Sequence, residues 1–228
     1  FFFFSSLGYG LWRLSQQRLL ADVSHELRTP LTVIIGYLQS LLRHSHNFST
    51  HQQEALETTA SEAERTARML QELLDLARAD SGHLHFRLEP VVLNTFVTEI
   101  AQMSEKVSQR KVSVLATAED VIALADQDRL EQVLINLIDN AVKYSDPHQP
   151  VDLSLEIQRQ QAIIQVRDRG IGIPLQHQAR IFERFYRVDE ARTRSKEGSG
   201  LGLSIVKSLV EGMNGRITLR SQSGEGSV

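Results

Sequence analysis

The first third of the chain carries apolar residues at helical intervals. Between residues 19 and 44 they recur at alternating intervals of four and three positions, namely Leu27, Leu31, Ile34, Leu38 and Leu41. This alternation is typical of a helix that packs along one seam against other helices. The polar stretch that follows, up to Thr50, interrupts the pattern and predicts a loop.

A second helix is predicted from Thr50 to about Ala79, and Ser81-Gly82 ends it. Its apolar positions keep the same alternation: Leu56, Ala60, Ala63, Ala67, Leu70, Leu74 and Ala77. The stripes of the two helices are wider than one partner covers, so we expect a second copy and a four-helix bundle. The alternative is a monomeric hairpin capped by the rest of the chain.

The second half mixes helical and strand patterns. The predicted helices are Leu93–Gln109, Asp128–Tyr144 and Gly200–Met213, and the predicted strands are Val112–Leu115, Ile122–Ala125, Val151–Ile157, Ala162–Val166 and Arg216–Ser221. This order predicts helices layered on one face of a sheet.

The chain opens with an apolar run, Phe1 to Trp12, that is too short to cross a bilayer alone, since a spanning helix needs about 20 residues. We interpret it as the inner end of a membrane helix that starts upstream, with Arg13 and Arg18 on the cytoplasmic side. The alternative is a soluble apolar helix that packs in a dimer. The absence of an initial Met predicts a fragment of a longer protein.

Composition narrows the classes of function. The 228 residues have a formal net charge of −3, which gives no reason to expect a nucleic-acid partner. The sequence has no cysteine, so disulfides and thiolate metal sites are excluded.

The segment Ser24 to Leu31 groups three side chains that suit phosphate chemistry. Glu26 adjoins His25, and Thr29 follows about one helical turn later. A histidine with the ordinary pKa of about 6.5 is largely a free base at neutral pH, and a neighbouring carboxylate can orient its ring and take its proton. Pro30 bends the helix because it removes a backbone donor. The chemistry of these residues alone is equally compatible with His25 being an ordinary solvent-exposed histidine.

The helix Asp128–Tyr144 carries polar groups on a leucine-rich and isoleucine-rich background. Asn136, Asn140 and Lys143 are spaced so that they face one cleft. An amide oxygen suits Mg²⁺, and an ammonium neutralises phosphate. The alternative is a pair of surface or capping asparagines.

Glycines surround two further candidate positions. Asp168 precedes Gly170 and Gly172, which permit close backbone approach, although an ordinary turn fits as well. The run from Gly198 to Gly202 has glycine at every second position and opens a helix, whose first amides suit phosphate. Neither a dinucleotide-binding fingerprint nor a Walker A loop matches this spacing.

Five segments, in this order, resemble the sequence boxes of the sensor histidine kinases. The H, N, G1, F and G2 boxes correspond to Ser24–Leu31, Gln132–Ser145, Asp168–Ile173, Phe182–Arg187 and Gly198–Leu203. The resemblance runs from about Leu19 to Gly226. The glycine turn near the end normally leads into a final strand in this family, and the sequence ends before it.

The resemblance implies a role for each matching residue. His25 accepts a phosphoryl group, Glu26 acts as the base, and Thr29 positions water for dephosphorylation. Asn140 is the implied Mg²⁺ ligand. The implied ATP-binding residues are Asn136, Asn140, Lys143, Tyr144, Asp168, Gly170, Gly172, Arg187, Gly198, Gly200, Leu201 and Gly202. Among these, Asp168 binds the adenine amino group and Arg187 a phosphate, whereas Phe182 and Phe185 are expected to be packing residues.

The resulting interpretation is an α+β protein. Residues 1–18 form a membrane-proximal segment, 19–88 a two-helix hairpin that dimerises into a four-helix bundle, and 89–228 an α/β sandwich (Bergerat-type) ATP-binding domain that lacks its last strand. We expect a homodimer at the cytoplasmic side of the cell membrane, with ATP and Mg²⁺ as cofactors and a response regulator as partner. The alternatives are an ATP-driven clamp without histidine transfer, and a non-catalytic scaffold.

Overall fold

A computed structural model describes residues 30–43, 48–80, 85–188 and 199–228, with the side chains of 75–80 excepted. The chain divides into two compact units, Phe1–Leu84 and His85–Val228.

The first unit contains two helices, α1 at residues 30–43 and α2 at Thr50–Asp80. A reciprocal cap starts α2. The Gln52 backbone N–H donates to Ser49 Oγ over 3.3 Å, and the Ser49 backbone N–H donates to Gln52 Oε1 over 2.9 Å. This capping box satisfies amides that lack partners inside the helix, which explains why the helix begins there.

The two helices contact each other through polar and small side chains. Gln39 Nε2 donates to Glu64 Oε1 over 2.9 Å. Ala60 and Leu74 are buried, in agreement with the predicted stripe of α2. Ile34 and Leu41 of the predicted stripe of α1 are exposed, and so are two further apolar residues of this helix, Val33 and Tyr37. Leu27 of the predicted seam lies outside the described residues.

The second unit begins with a strand and alternates between helices and strands. Its helices are α3 (Leu93–Ser108), α4 (Gln127–Tyr144), α5 (Leu175–Gln178) and α6 (Gly202–Gly212). Its strands are β1 (Glu89–Val92), β2 (Val112–Ala116), β3 (Ile122–Ala125), β4 (Val151–Gln158), β5 (Gln161–Arg167), β6 (Ser221–Gln222) and β7 (Gly226–Ser227).

The central sheet has the order β2-β4-β5, with β2 parallel and β5 antiparallel to β4. Arg159 and Gln160 join β4 to β5, and both have positive φ, 49° and 64°. Two consecutive positive φ values give the tight turn whose twist matches a hairpin. Smaller antiparallel pairs are formed by β1 with β3 and by β6 with β7.

The core lies between the central sheet and the helices. Val97 and Ile100 of α3, and Leu134 and Ile138 of α4, are buried in one cluster with Leu153 and Leu155 of β4. The outward positions of β4, such as Asp152, are polar and only partly buried. The prediction of helices on one sheet face is therefore confirmed.

One local prediction needs correction. Residues 216–220 are not a strand, because only Arg220 has a ladder-like partner, exchanging backbone hydrogen bonds of 2.8 Å with Val228. A β-strand is defined by backbone hydrogen bonds to a neighbouring strand, and alternating apolar residues do not by themselves provide that neighbour. The sequence reasoning also missed β1, which contains Pro90, and the single-turn helix α5.

Candidate functional site

Helix α4 is the scaffold of the candidate site. The Asp126 carboxylate caps its first turn by accepting from the Arg129 backbone N–H over 3.1 Å, and its other oxygen accepts from the Arg87 backbone N–H over 2.9 Å. Asn136, Asn140 and Lys143 follow along the helix and are all partly buried. The helix thus has a fixed start, and its polar residues are half-sheltered from water.

The end of α4 lies against the segment that follows β5. The Ile171 backbone N–H donates to the Tyr144 carbonyl over 3.3 Å, and Ser145 forms an antiparallel bridge with Gly170. A Cβ on Gly170 would overlap the Tyr144 carbonyl oxygen and lie 2.8 Å from Asp168 Oδ1. Glycine is therefore required here by close backbone approach, as the sequence predicted.

Asp168 sits directly beside this junction. Its Oδ1 accepts from the Gly170 backbone N–H over 2.8 Å, and its backbone exchanges hydrogen bonds of 2.9 and 3.3 Å with Ser227. Burial raises the pKa of the Asp168 carboxyl, and the hydrogen bonds from Gly170 and Ser227 offset only part of that rise. A half-buried carboxylate with a raised pKa is typical of a functional position.

Two more glycines permit close contacts around Asp168. Gly172 has a φ of 62°, and a Cβ there would overlap the carbonyl of Gln222. Gly226 has a φ of 100°, and a Cβ there would overlap the carbonyl of Asp168. The segment 168–172 is therefore held between the end of α4 and the turn between β6 and β7.

The start of α6 faces α4. A Cβ on Gly202 would meet Asn136 Oδ1 at an ordinary 3.5 Å, so this glycine is not required by packing. Gly200 has a φ of 73°, and a Cβ there would lie 2.8 Å from the Phe185 carbonyl carbon, so Gly200 brings the F and G2 boxes together. Leu201, which precedes α6, is fully buried and gives the helix no side-chain cap.

Tyr144 and Arg187 are electrostatically connected. Burial raises the pKa of the Tyr144 hydroxyl, and the positive charge of Arg187 lowers it by a smaller amount. Lys143 Nζ lies 5.3 Å from the centre of the Tyr144 ring. Two cations therefore lie near the last turn of α4, where the sequence predicted phosphate contacts.

A second cluster holds the segment before Arg187. His177 Nδ1 and the Tyr186 hydroxyl are hydrogen-bonded over 2.5 Å, and the Arg180 guanidinium lies 4.3 Å from the centre of the Tyr186 ring. Phe185 is 61% exposed and has a φ of 59°, so the prediction that it is a packing residue is wrong.

An open groove of about 280 Å³ lies beside Asp168, between the end of β5 and the β6–β7 turn. Asp168 is the single predicted site residue in its lining, which otherwise includes Arg167, Arg220 and Glu225. The groove shares Asp168 with the candidate ATP site but contains no residue of α4.

The residues present fit ATP and Mg²⁺. Gly202 begins an 11-residue helix that has no side-chain cap, and backbone amides at such a helix start suit a phosphate. Within the described ranges, no group of three His, Cys, Asp or Glu side chains could hold a metal ion. A magnesium ion that binds through one amide oxygen, phosphate oxygens and water is compatible with such a site.

Four predicted site residues, His25, Glu26, Thr29 and Gly198, lie outside the described residues. Among the others, the structure brings Tyr144, Gly170 and Asp168 into one junction, with Gly172 and Arg187 adjoining it, and sets Asn136 opposite Gly202. Asn140 lies on α4 and is partly buried. Sequence reasoning missed Arg110, Asp126, His177 and Ser227; of these, only Asp126 carried a signal, as an acidic residue just before a helix.

Comparison with protein families gives the class of each part of the chain. Residues 15–82 match the "His Kinase A (phospho-acceptor) domain". Residues 125–228 match the "Histidine kinase-, DNA gyrase B-, and HSP90-like ATPase" family. The fold and the site therefore define an ATPase domain that follows a phospho-acceptor domain.

The chain belongs to the sensor histidine kinase family. It is 36% identical over 212 residues to the sensor histidine kinase YkoH of Bacillus subtilis, covering 93% of this chain and 46% of that protein. It is 37% identical over 221 residues to the sensor histidine kinase WalK of the same organism, covering 94% of this chain and 36% of that protein. The chain thus spans less than half the length of these relatives.

Solved structures agree with this assignment. The chain aligns with the full-length ShkA complex with AMPPNP at a TM-score of 0.76 and 26% identity, covering 92% of this chain and 44% of that chain. It aligns with the histidine kinase AdeS of Acinetobacter baumannii at a TM-score of 0.62 and 26% identity, covering 89% of this chain and 94% of that chain. The predicted fold class and family are therefore confirmed.

None of the helices in the described ranges combines the length and the apolar character that a membrane crossing needs.

Proposed function

We propose that this kinase core transfers the γ-phosphoryl group of ATP to His25 and then to an aspartate of a response regulator. The observation that carries the proposal is the junction of α4 with the Asp168 segment, in a chain whose first part matches a phospho-acceptor domain. ShkA, which aligns over most of this chain, was solved with the ATP analogue AMPPNP.

Each part of the nucleotide has a proposed set of contacts. Asp168 accepts from the adenine amino group, next to Tyr144, Gly170 and Gly172. Lys143 and Arg187 offset phosphate charge, and the backbone from Gly198 through Gly200 and Leu201 to Gly202 approaches the phosphates. Asn136 and Asn140 line the same cleft, and Asn140 offers an amide oxygen to Mg²⁺, which supplies charge neutralisation on the phosphate oxygens.

The proposed phosphoryl transfer uses two residues of the H box, His25 and Glu26. An imidazole nitrogen of His25 attacks the γ-phosphorus, a phosphorus–nitrogen bond forms, and the bond to the β–γ bridging oxygen breaks as ADP leaves. The ring proton passes to the Glu26 carboxylate. The aspartate carboxylate of the regulator then attacks the same phosphorus; an oxygen–phosphorus bond forms, the phosphorus–nitrogen bond breaks, and the imidazole of His25 leaves and takes back a proton. Thr29 positions water for the later hydrolysis of that acyl phosphate.

A homodimer is the proposed assembly. Val33, Ile34 and Leu41 of α1 are between 46% and 51% exposed, and Tyr37 is 71% exposed. Covering this stripe with a second copy would remove apolar surface from water and complete a four-helix bundle. Light scattering should give twice the monomer mass, and Ile34→Glu should shift the protein toward the monomer.

We also propose the functional borders 1–18, 19–88 and 89–228, and a position at the cytoplasmic side of the cell membrane. The apolar run Phe1 to Trp12 supports this position. If it is correct, removing residues 1–18 should lower the share of the protein that is recovered in the membrane fraction.

The central test is phosphorylation with labelled ATP and Mg²⁺. The protein should acquire an acid-labile, base-stable label that His25→Ala abolishes. The matched control is His148→Ala, which changes an exposed histidine and should label normally. Equal labelling of His25→Ala would overturn the proposal, and slow phosphate release without any label would favour the ATP-driven clamp.

A further inference from the structure

Arg110 ties the α3–β2 connection to the far end of α4. It follows Gln109, the left-handed residue with a φ of 54° that ends α3. Its Nη1 donates to the Val142 carbonyl over 3.3 Å. Its Nη2 lies 3.0 Å from Ser145 Oγ, 2.5 Å from the Asp146 carbonyl oxygen and 2.6 Å from that of Gln149.

The guanidinium therefore caps the C-terminal end of α4, although Arg110 is remote from that helix end in sequence. The last carbonyls of a helix have no partner within it, and they carry the negative end of the helix dipole. Arg110 supplies both hydrogen-bond donors and positive charge at that end. Its Nε is buried and has no hydrogen-bond partner in the described part of the chain. Burying that donor costs free energy, so the four contacts must offset it.

The residues to which Arg110 is hydrogen-bonded flank the junction between the end of α4 and the Asp168 segment. Val142 and Ser145 lie on either side of Lys143 and Tyr144 in the chain. On the opposite side, the Tyr144 carbonyl and Ser145 are bonded to the segment of Gly170. The end of α4 is thus held from two directions, by Arg110 and by the segment that carries Asp168.

We propose that Arg110 is a positioning residue for adenine recognition. By fixing the last turn of α4, it sets the spacing between Tyr144 and the carboxylate of Asp168, which must meet the amino group of the base. This inference rests on the proposed ATP site. Arg110 bonds to Ser145, next to Tyr144 and the Asp168 segment, so its loss should reduce discrimination between bases more than it affects the phosphate contacts of Arg187 and of the start of α6.

The test compares two nucleotides that differ at the base. ITP carries a carbonyl where ATP has the amino group, so the exocyclic donor proposed for Asp168 is replaced by an acceptor. Dissociation constants for ATP and ITP are measured by calorimetry on the whole 228-residue chain and on Arg110→Met and Arg110→Lys. Lys111→Met is the matched control, since Lys111 is the exposed neighbour in the same connection.

The wild type should prefer ATP to ITP by at least about tenfold, because a buried polar group left unpaired is penalised. Arg110→Met should bring the ratio close to one, and Arg110→Lys should lie between, because an ammonium does not reproduce the planar fork of donors. Lys111→Met should keep the wild-type ratio.

The outcomes separate the inference from the proposed function. If Arg110→Met weakens both nucleotides equally and keeps the ratio, Arg110 is only a structural cap and the inference is wrong. If Arg110→Met does not fold, as judged by circular dichroism, Arg110→Lys decides by the same ratio. If the wild type binds ATP without preferring it to ITP, the adenine site itself is wrong; if it does not bind ATP, the proposed function fails.

Discussion

Gly170 packs against the carbonyl oxygen of Tyr144 so closely that no side-chain carbon fits between them. This contact joins the end of α4 to the segment of Asp168. Replacing Gly170 by alanine should force the two apart and lower the free energy of unfolding by about 1–3 kcal/mol, since overpacking displaces backbone. Urea denaturation should show the loss, and calorimetry should show weakened ATP binding. Unchanged values for both would contradict the contact.

Gly202 offers the opposite case within the same site. An added Cβ would meet Asn136 Oδ1 at 3.5 Å, an ordinary contact. Gly202→Ala should therefore keep or raise stability, by up to about 1 kcal/mol for an added helix former. Its methyl group would occupy the proposed phosphate position, so ATP affinity should fall. A variant that binds ATP as well as the wild type would argue against phosphate binding at the start of α6.

The raised pKa of Asp168 predicts a pH-dependent stability cost. Between its ordinary pKa of about 3.9 and the raised folded value, the native state binds more protons than the unfolded state. Stability from this group therefore falls as pH rises through that window, and the cost is complete above the folded pKa. Asp168→Asn should be more stable than the wild type at neutral pH, with a difference that vanishes below about pH 4.

Thermal unfolding across this pH range provides the measurement. The matched control is Asp120→Asn, which removes one exposed charge from the β2–β3 turn and should show no comparable pH-dependent gain. ATP affinity of Asp168→Asn should drop, so a gain in stability would accompany a loss of function. A variant less stable than the wild type at neutral pH would show that the hydrogen bonds to Asp168 outweigh its desolvation.

Asp126 joins the start of α4 to the chain that enters the second unit. Asp126→Ala should cost about 2 kcal/mol of stability, because it removes a helix cap and leaves the Arg87 N–H without its acceptor. Asp128→Ala, in the first turn of the same helix but exposed, should cost only a few tenths of a kcal/mol. Chemical denaturation of the two variants measures both free energies of unfolding, and equal losses of stability would refute the capping role of Asp126.

Tyr186, which precedes Arg187, is held by a hydrogen bond between its hydroxyl and His177 Nδ1. Tyr186→Phe should raise the ATP concentration for half-maximal autophosphorylation by about fivefold, since one net hydrogen bond is worth about 1 kcal/mol. His177→Ala should have a similar effect, and the double variant should be no worse than either single variant. Additive effects would mean that the two side chains act separately.

The sequence by itself determined the elements and the order of the motifs. Helix α2 starts at the predicted Thr50, and strand β3 has the predicted bounds, Ile122–Ala125. Such elements are encoded by local periodicity and by residues near their ends, which can be read within a few turns of chain. The family followed from five boxes in sequence order, and the comparisons confirm it.

The tertiary structure decided the contacts between distant segments. Arg110 reaches acceptors between 32 and 39 residues away, and Asp126 reaches the Arg87 N–H 39 residues away. No local pattern specifies such partners, because they depend on how elements pack. For the same reason residues 216–220 failed as a strand. Alternating apolar residues give a segment the tendency to form a strand, but a strand forms only where another backbone segment supplies its hydrogen bonds.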